Sequence, residues 1–234
     1  MSIGFVFAKF FNPLVPKHLA RLRRGSLIWK EFHYRMALFI FAMLFYGMIE
    51  TVYSSWGGLY LLNFMNAKQT GFCVTYFWIA MVVGQLALLV PIYYFSARKI
   101  FSLLLLYSIA VSLFLERQTG VHYLMACYFA AGLGSSIIFP MLLAFFEREV
   151  MHTCALSRIE SPIAFIETGI SLMVGGYLVG VGVVSVYMYK LGSEPVLFTS
   201  VAYHKVILFL VGIGLISTYL NWTSDTFKDE HPLS

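Results

Sequence analysis

Residues Met36 to Ile49 read MALFIFAMLFYGMI, an apolar run that contains no charged side chain. With its flanks this run extends from about Arg35 to Phe64, and a helix needs only ~20 apolar residues to cross a bilayer. Five comparable runs follow it between charged or Gly- and Pro-rich breaks. Lipid offers backbone N–H and C=O groups no partner, so each run is predicted to be a transmembrane α-helix.

The six predicted spans form a bundle over residues 35–222, with a basic tail at residues 1–34 and a second tail at residues 223–234. We expect Ser161 to cap the fifth span, with Pro162 at its first helical position. The six bounds are Arg35 to Phe64, Thr70 to Phe95, Ile100 to Leu115, Val121 to Phe146, Pro162 to Tyr189 and Tyr203 to Trp222.

The composition excludes an ordinary soluble domain. Hydrophobic residues make up 60% of the chain and charged residues 12%, and the mean hydropathy is +0.80. Soluble domains carry roughly a quarter charged residues, and a soluble fold of this length has too little interior for so much apolar surface. The fold class predicted is therefore an all-α membrane protein, a six-transmembrane-helix bundle.

The basic residues predict an orientation rather than a nucleic-acid site. The net charge is +5, but the Lys and Arg residues lie in the N-terminal tail or are scattered between apolar runs. Counting alternate sides places twelve of the sixteen with the two termini and four, namely Lys68, Arg117, Lys190 and Lys205, on the opposite side. Positive charge is retained in the cytoplasm, so both termini are predicted to be cytoplasmic, in a bacterial-type inner (plasma) membrane.

The N-terminal tail has two interpretations. Residues Phe10 to Trp29 mix Leu, Phe and Trp with Lys and Arg, a composition typical of a helix lying on the anionic inner leaflet. A solvated linker fits the same composition.

Three of the predicted spans carry motifs found in a known family. The first span carries Tyr46-Gly-Met-Ile-Glu50 and then Ser54-Ser-Trp56, similar to the seventh helix of the fucose permease-like branch of the major facilitator superfamily. The second span carries Phe77-Trp-Ile-Ala-Met-Val-Val-Gly-Gln85, similar to the eighth helix, with Gln85 where the family often has Arg. The fourth span carries Ala131-Gly-Leu-Gly-Ser-Ser-Ile-Ile-Phe-Pro-Met-Leu-Leu-Ala144, similar to the tenth helix.

The resemblance covers only the C-terminal six-helix half of that family. It implies secondary transport of a small polar solute, a sugar first, by alternating access, with proton coupling as a further hypothesis. Carriers of this kind bind substrate between two bundles, so the resemblance also implies a second six-helix bundle, either a missing N-terminal half or a second copy. A truncated product, one piece of a split carrier and a half-size protein that dimerises all remain open.

Glu50 is the sharpest functional candidate. It follows the apolar run in the middle of the first span, where a carboxylate costs several kcal/mol unless it is protonated, paired or facing water. At helical spacing Gly47, Glu50, Ser54 and Gly57 share one face, which predicts a polar cavity lining. The alternative is a protonated Glu50 that is hydrogen-bonded to a neighbouring helix.

Three further side chains are substrate or coupling candidates. Trp56 is close to the Glu50 stripe and is otherwise a packing or interface residue. The Gln85 side chain either makes an interhelical hydrogen bond or binds a sugar through its amide. Glu167 lies near the start of the fifth span, where the helix dipole alone favours a carboxylate.

The fourth span combines Gly132 and Gly134 with Pro140. The glycines permit close helix packing and the proline permits a kink, in a moving or a static bundle.

No catalytic constellation, metal-binding spacing or cofactor motif is found in the sequence, so no catalytic residue, metal or cofactor is predicted. Two rival functions are a non-transporting assembly subunit and a lipid-modifying enzyme, for which only Glu147, Arg148, Glu149 and His152 offer a charged cluster.

Overall fold

The computed structural model describes residues 34–62, 65–87, 94–116, 120–156, 162–191 and 195–223. These residues are helical nearly throughout, and no strand occurs among them. They lie in one compact unit that begins at Tyr34. The tail before Tyr34, the residues after Thr223 and the Ser161 cap fall outside the described residues.

The described helices follow the order of the apolar runs. They are α1 Tyr34–Thr51, a π-helical turn Val52–Trp56, α2 Gly57–Leu61, α3 Ala67–Ala87, α4 Ala97–Glu116, α5 Val121–Ser135, α6 Ile138–Leu156, α7 Pro162–Leu191 and α8 Pro195–Thr223.

Five helical stretches are long and apolar enough to cross a bilayer: Tyr34–Leu61, Ala67–Ala87, Ala97–Leu115, Val121–Met151 and Pro162–Lys190. They correspond to the first five predicted spans. The sixth predicted span lies within α8, where His204–Leu220 is a shorter apolar helix. The prediction of an all-α membrane protein is confirmed.

Helices α1 and α7 run parallel and touch through glycine. A side chain at Gly176 would meet the backbone carbonyl of Ile40, and one at Gly180 would meet that of Leu44. Residue numbers increase in the same direction along both helices at this contact, so α1 and α7 are parallel. That is expected for the first and fifth spans of a chain whose spans alternate in direction. Small residues let the two backbones approach closely, as the GxxxG spacing of these two glycines permits.

Helix α8 runs antiparallel to α1. The rings of Tyr34 and Tyr219 lie 6.4 Å apart near one end, and those of Phe45 and Phe209 stack at 5.7 Å further along. The last described helix therefore passes along the same bundle as the others.

A buried ion pair joins three helices at one end of the bundle. Arg35 Nη1 lies 2.8 Å from Glu149 Oε1, and Arg35 Nη2 donates to the carbonyl of Leu220 at 3.2 Å. The start of α1 is thereby tied to the later part of α6 and to the end of α8. In the same region, Phe101 of α4 and Phe145 of α6 pack edge to face at 5.5 Å, so the start of α4 lies at this end too.

Candidate functional site

Glu50 lies deep within the first membrane-crossing stretch. At 1.5 Å per residue it is roughly 24 Å from Tyr34 along a helical stretch of about 40 Å. Its side chain is half-buried, whereas Ile49 beside it is fully buried. The carboxyl group is therefore at bilayer depth and only partly enclosed by its own bundle.

Two tyrosine hydroxyls contact the Glu50 carboxyl. Tyr177 of α7 donates from its hydroxyl to Glu50 Oε1 at 2.9 Å, and the Tyr46 hydroxyl, one turn earlier on α1, also contacts this carboxyl. A side chain at Gly47 would collide with the backbone of Tyr177, so the glycine is what lets α7 bring its phenol to Glu50. Hydrogen bonds to a carboxyl group offset part of the cost of placing it in a low-dielectric interior.

An aromatic wall surrounds this contact. The rings of Tyr46 and Tyr177 lie 6.1 Å apart, and Phe139 of α6 packs at 5.9 Å from Tyr46 and at 6.4 Å from Tyr177. We call Glu50, Tyr46, Tyr177 and Phe139 the Glu50 cluster. It draws on α1, α6 and α7, so any relative movement of these three helices changes the surroundings of the carboxyl group.

The predicted single stripe from Gly47 to Gly57 is not one face in the structure. Gly47 packs against α7, whereas a side chain at Gly57 would meet the hydroxyl of Tyr128 on α5. The reason is the π-helical turn, in which the Gly57 N–H donates to the carbonyl of Val52, five residues earlier, instead of to the fourth. The wider turn rotates the following residues away from the register that regular α-helical spacing predicts.

Two predicted site residues lie on that π-helical turn. Ser54 is half-buried, with its Oγ 3.5 Å from that of the exposed Ser55, and Trp56 is half-buried as well. Helical turns of this type occur often at functional sites, because they widen the backbone and redirect side chains. The turn begins two residues after Glu50, and the contacts described do not join Ser54 or Trp56 to the Glu50 cluster.

Gln85 makes an interhelical hydrogen bond. Its side chain is exposed, and its Nε2 donates at 3.2 Å to the backbone carbonyl of Ser136, in the short break between α5 and α6. Of the two interpretations of Gln85 drawn from the sequence, the interhelical bond is the one observed. Pro140 itself is exposed on the first turn of α6.

The small residues of α5 allow close packing. A side chain at Gly132 would meet the backbone carbonyl of Phe77 on α3, and one at Gly134 would meet Ser108 on α4. Both glycines therefore lie at helix–helix contacts, and neither belongs to the Glu50 cluster.

Glu167 is separated from Glu50. Its side chain is exposed on α7, ten residues before Tyr177, which corresponds to about 15 Å along the helix. The structure therefore places it near the start of α7, at the end of the bundle that holds Arg35.

Two features were missed by the sequence interpretation. The Tyr177 hydroxyl comes from a helix 127 residues away in sequence. Arg35 and Glu149 form a pair with side chains only 16% and 3% exposed, although the sequence interpretation groups Glu149 with Glu147, Arg148 and His152 in one charged cluster. Its neighbours Glu147 and Arg148 are exposed, so the structure divides that cluster.

Among the described residues no group of three or more His, Cys, Asp or Glu side chains is placed to hold a metal ion. Comparisons of this chain with protein-family models, with curated proteins and with solved structures found no match.

Proposed function

We propose that this chain is a secondary transporter, or half of one, that moves a small polar solute across the membrane by alternating access. The observation that supports the proposal is the Glu50 cluster: a half-buried carboxyl group at bilayer depth, contacted by two phenol hydroxyls. Ionisable residues within membrane spans are rare and costly, and they mark solute and proton pathways, so a functional role is the default hypothesis for Glu50. A sugar is the first solute class to test, on the sequence resemblance alone.

In this mechanism Glu50 exchanges hydrogen-bond partners. The ionised carboxylate only accepts hydrogen bonds, whereas the protonated group also donates one. Uptake of a proton removes the charge that strengthens the bond from Tyr177, and a solute hydroxyl competes with Tyr177 for the carboxyl oxygen. Either event therefore weakens the link between α1 and α7. Proton coupling is the part of the proposal that depends on Glu50 most directly.

A second six-helix bundle completes the site. Glu50 is only half-covered by its own chain, and a carboxyl group facing hydrocarbon costs several kcal/mol. A facing bundle, either a separate N-terminal half or a second copy of this chain, would enclose it in a shared polar cavity at the midplane. The charge distribution supports an orientation with both termini in the cytoplasm. The membrane proposed is a bacterial-type inner (plasma) membrane.

The test is proton-driven uptake by the assembly purified from its native membrane in mild detergent, so that any second bundle remains bound. Proteoliposomes receive an inward proton gradient and a panel of labelled sugars, and an entrapped dye reports internal pH. We expect solute-dependent proton entry for the wild type, its loss in Glu50→Gln, and its retention in Glu147→Gln, an exposed carboxylate on α6. Equal proton-driven uptake by wild type and Glu50→Gln would overturn the coupling role.

A non-transporting assembly subunit is the second candidate. The bond from Tyr177 to Glu50 is also what a static tie between two helices requires. In that case Glu50→Gln lowers the thermal stability of the assembly, while neither it nor the wild type supports solute flux in the same vesicles.

A further inference from the structure

Pro140, just after the break in the fourth span, leaves the backbone carbonyl of Ser136 without its usual helical donor. In a regular helix the N–H of residue 140 would donate to the carbonyl of residue 136, but Pro140 has no N–H. In the bilayer, water is not there to replace the missing bond. The donor found at the Ser136 carbonyl is the side-chain amide of Gln85, from α3.

The chemistry of the pair fixes the orientation of the amide. A backbone carbonyl only accepts hydrogen bonds, so the nitrogen of Gln85 and not its oxygen must face Ser136. The neighbouring Gly84 brings the two helices close enough, since a side chain there would collide with the side chain of Ser136. The amide thus substitutes, from another helix, for the bond that proline removes.

This contact is connected to the Glu50 cluster through the first turn of α6. Phe139 directly precedes Pro140 and follows the break at Ser136 and Ile137. Its ring packs on both Tyr46 and Tyr177. Any shift of the broken turn moves the Phe139 ring against the two phenols that contact Glu50.

We propose that Gln85 is a positioning residue. It supplies the helix hydrogen bond that Pro140 cannot make, and so holds the first turn of α6 in the position that packs Phe139 on Tyr46 and Tyr177. Its part in solute transport rests on the proposed function, but the positioning itself does not.

A double-substitution cycle tests the bond. Gln85→Met removes the donor, and Pro140→Ala restores a backbone N–H that can take over the Ser136 carbonyl. With Pro140 present, Gln85→Met is expected to lower Tm by on the order of 2–4 °C, as for loss of one interhelical hydrogen bond. In the Pro140→Ala background the loss should fall to less than half of that. Equal losses in both backgrounds would overturn the proposal.

Two further variants keep the cycle interpretable. Gln69 lies on the same helix, and among the contacts described its side chain only accepts a hydrogen bond from the nearby Asn66 backbone N–H. Gln69→Met should therefore lower Tm equally in both backgrounds. Pro140→Gly also restores the N–H, and it replaces Pro140→Ala if that chain does not fold.

The carboxyl stretching band of Glu50, assigned in infrared difference spectra by its absence in Glu50→Gln, tests the effect on the cluster. We expect Gln85→Met to shift this band and Pro140→Ala to return it toward the wild-type position. An unshifted band, even with coupled Tm values, would show that Gln85 braces the break without positioning the cluster. Neither measurement needs transport, so both can succeed where the transport proposal fails.

Discussion

Removing the carboxylate of the buried ion pair is expected to destabilise the bundle strongly. In Glu149→Gln the partner Arg35 keeps its charge but loses the opposite charge 2.8 Å away. At an effective dielectric constant of ~20 this interaction amounts to roughly 6 kcal/mol. Breaking one side of a buried pair typically costs ~3–5 kcal/mol, because the remaining charge is left uncompensated.

The low exposure of both side chains means that the cost of breaking a buried pair applies here, and not the small value of a surface pair. The two side chains are 16% and 3% exposed, so water and salt screen the pair far less than a surface ion pair, which contributes about 0–1 kcal/mol. Taking the lower bound of about 3 kcal/mol, the loss corresponds to a fall in Tm of ~6–12 °C for a chain of this size. Thermal unfolding in detergent, followed by circular dichroism, measures it.

Glu147→Gln is the matched control, two residues away on the same helix and exposed. Its free energy of unfolding should stay within ~0.5 kcal/mol of the wild-type value. Replacing both Arg35 and Glu149 by Met should recover part of the loss, since no unpaired charge then remains. If Glu149→Gln were no worse than Glu147→Gln, the ion pair would not hold this end of the bundle together.

Two other substitutions, Gly180→Ala and Tyr177→Phe, test the α1–α7 contact, with Gly182→Ala as a control. Gly180→Ala places a methyl group against the backbone of Leu44 and is expected to cost ~1–3 kcal/mol of unfolding free energy. The methyl group of Gly182→Ala points into open space, so this variant should be neutral or stabilising. Similar Tm values for the two would contradict the packing. Tyr177→Phe removes the hydroxyl bonded to Glu50, at a cost of ~0.5–1.5 kcal/mol, and should weaken proton-driven uptake; unchanged uptake and Tm would refute that contact's role.

The helices could be predicted from the sequence because hydrocarbon imposes one rule on every span. Backbone groups must pair within the segment, so apolar length alone predicts a helix. The prediction for α7 began at Pro162, as in the structure, and ended two residues before Leu191. The span from Val121, in contrast, was predicted as one helix and is broken at Ser136 and Ile137.

The contacts of the site could not be predicted in the same way. Glu50 stood out because its charge is costly in an apolar run, but its partner depends on how α1 meets α7. The face shared by Gly47 and Gly57 was extrapolated at regular helical spacing, and the π-helical turn between them shifts it. The register of a single helix is visible in a sequence, whereas an inserted wide turn and a tertiary neighbour are not.

The bond of Gln85 could not be predicted from the sequence either. The sequence placed a polar amide in the second span and a proline in the fourth, and each was interpreted separately. Only their proximity shows that the amide supplies the bond that Pro140 removes from Ser136.

The most direct test of the membrane-crossing bundle is the accessibility of its two opposite ends. Lys99 is on α4 at the end that holds the Arg35 pair, whereas Lys68 is on the first turn of α3, whose first turns pack beside α2 at the far end. Single cysteines at these positions, with native cysteines replaced, are treated in intact cells with a membrane-impermeant maleimide. We expect Lys68→Cys to react directly and Lys99→Cys only after permeabilisation. Reaction of both from the same side would contradict the bundle and its topology.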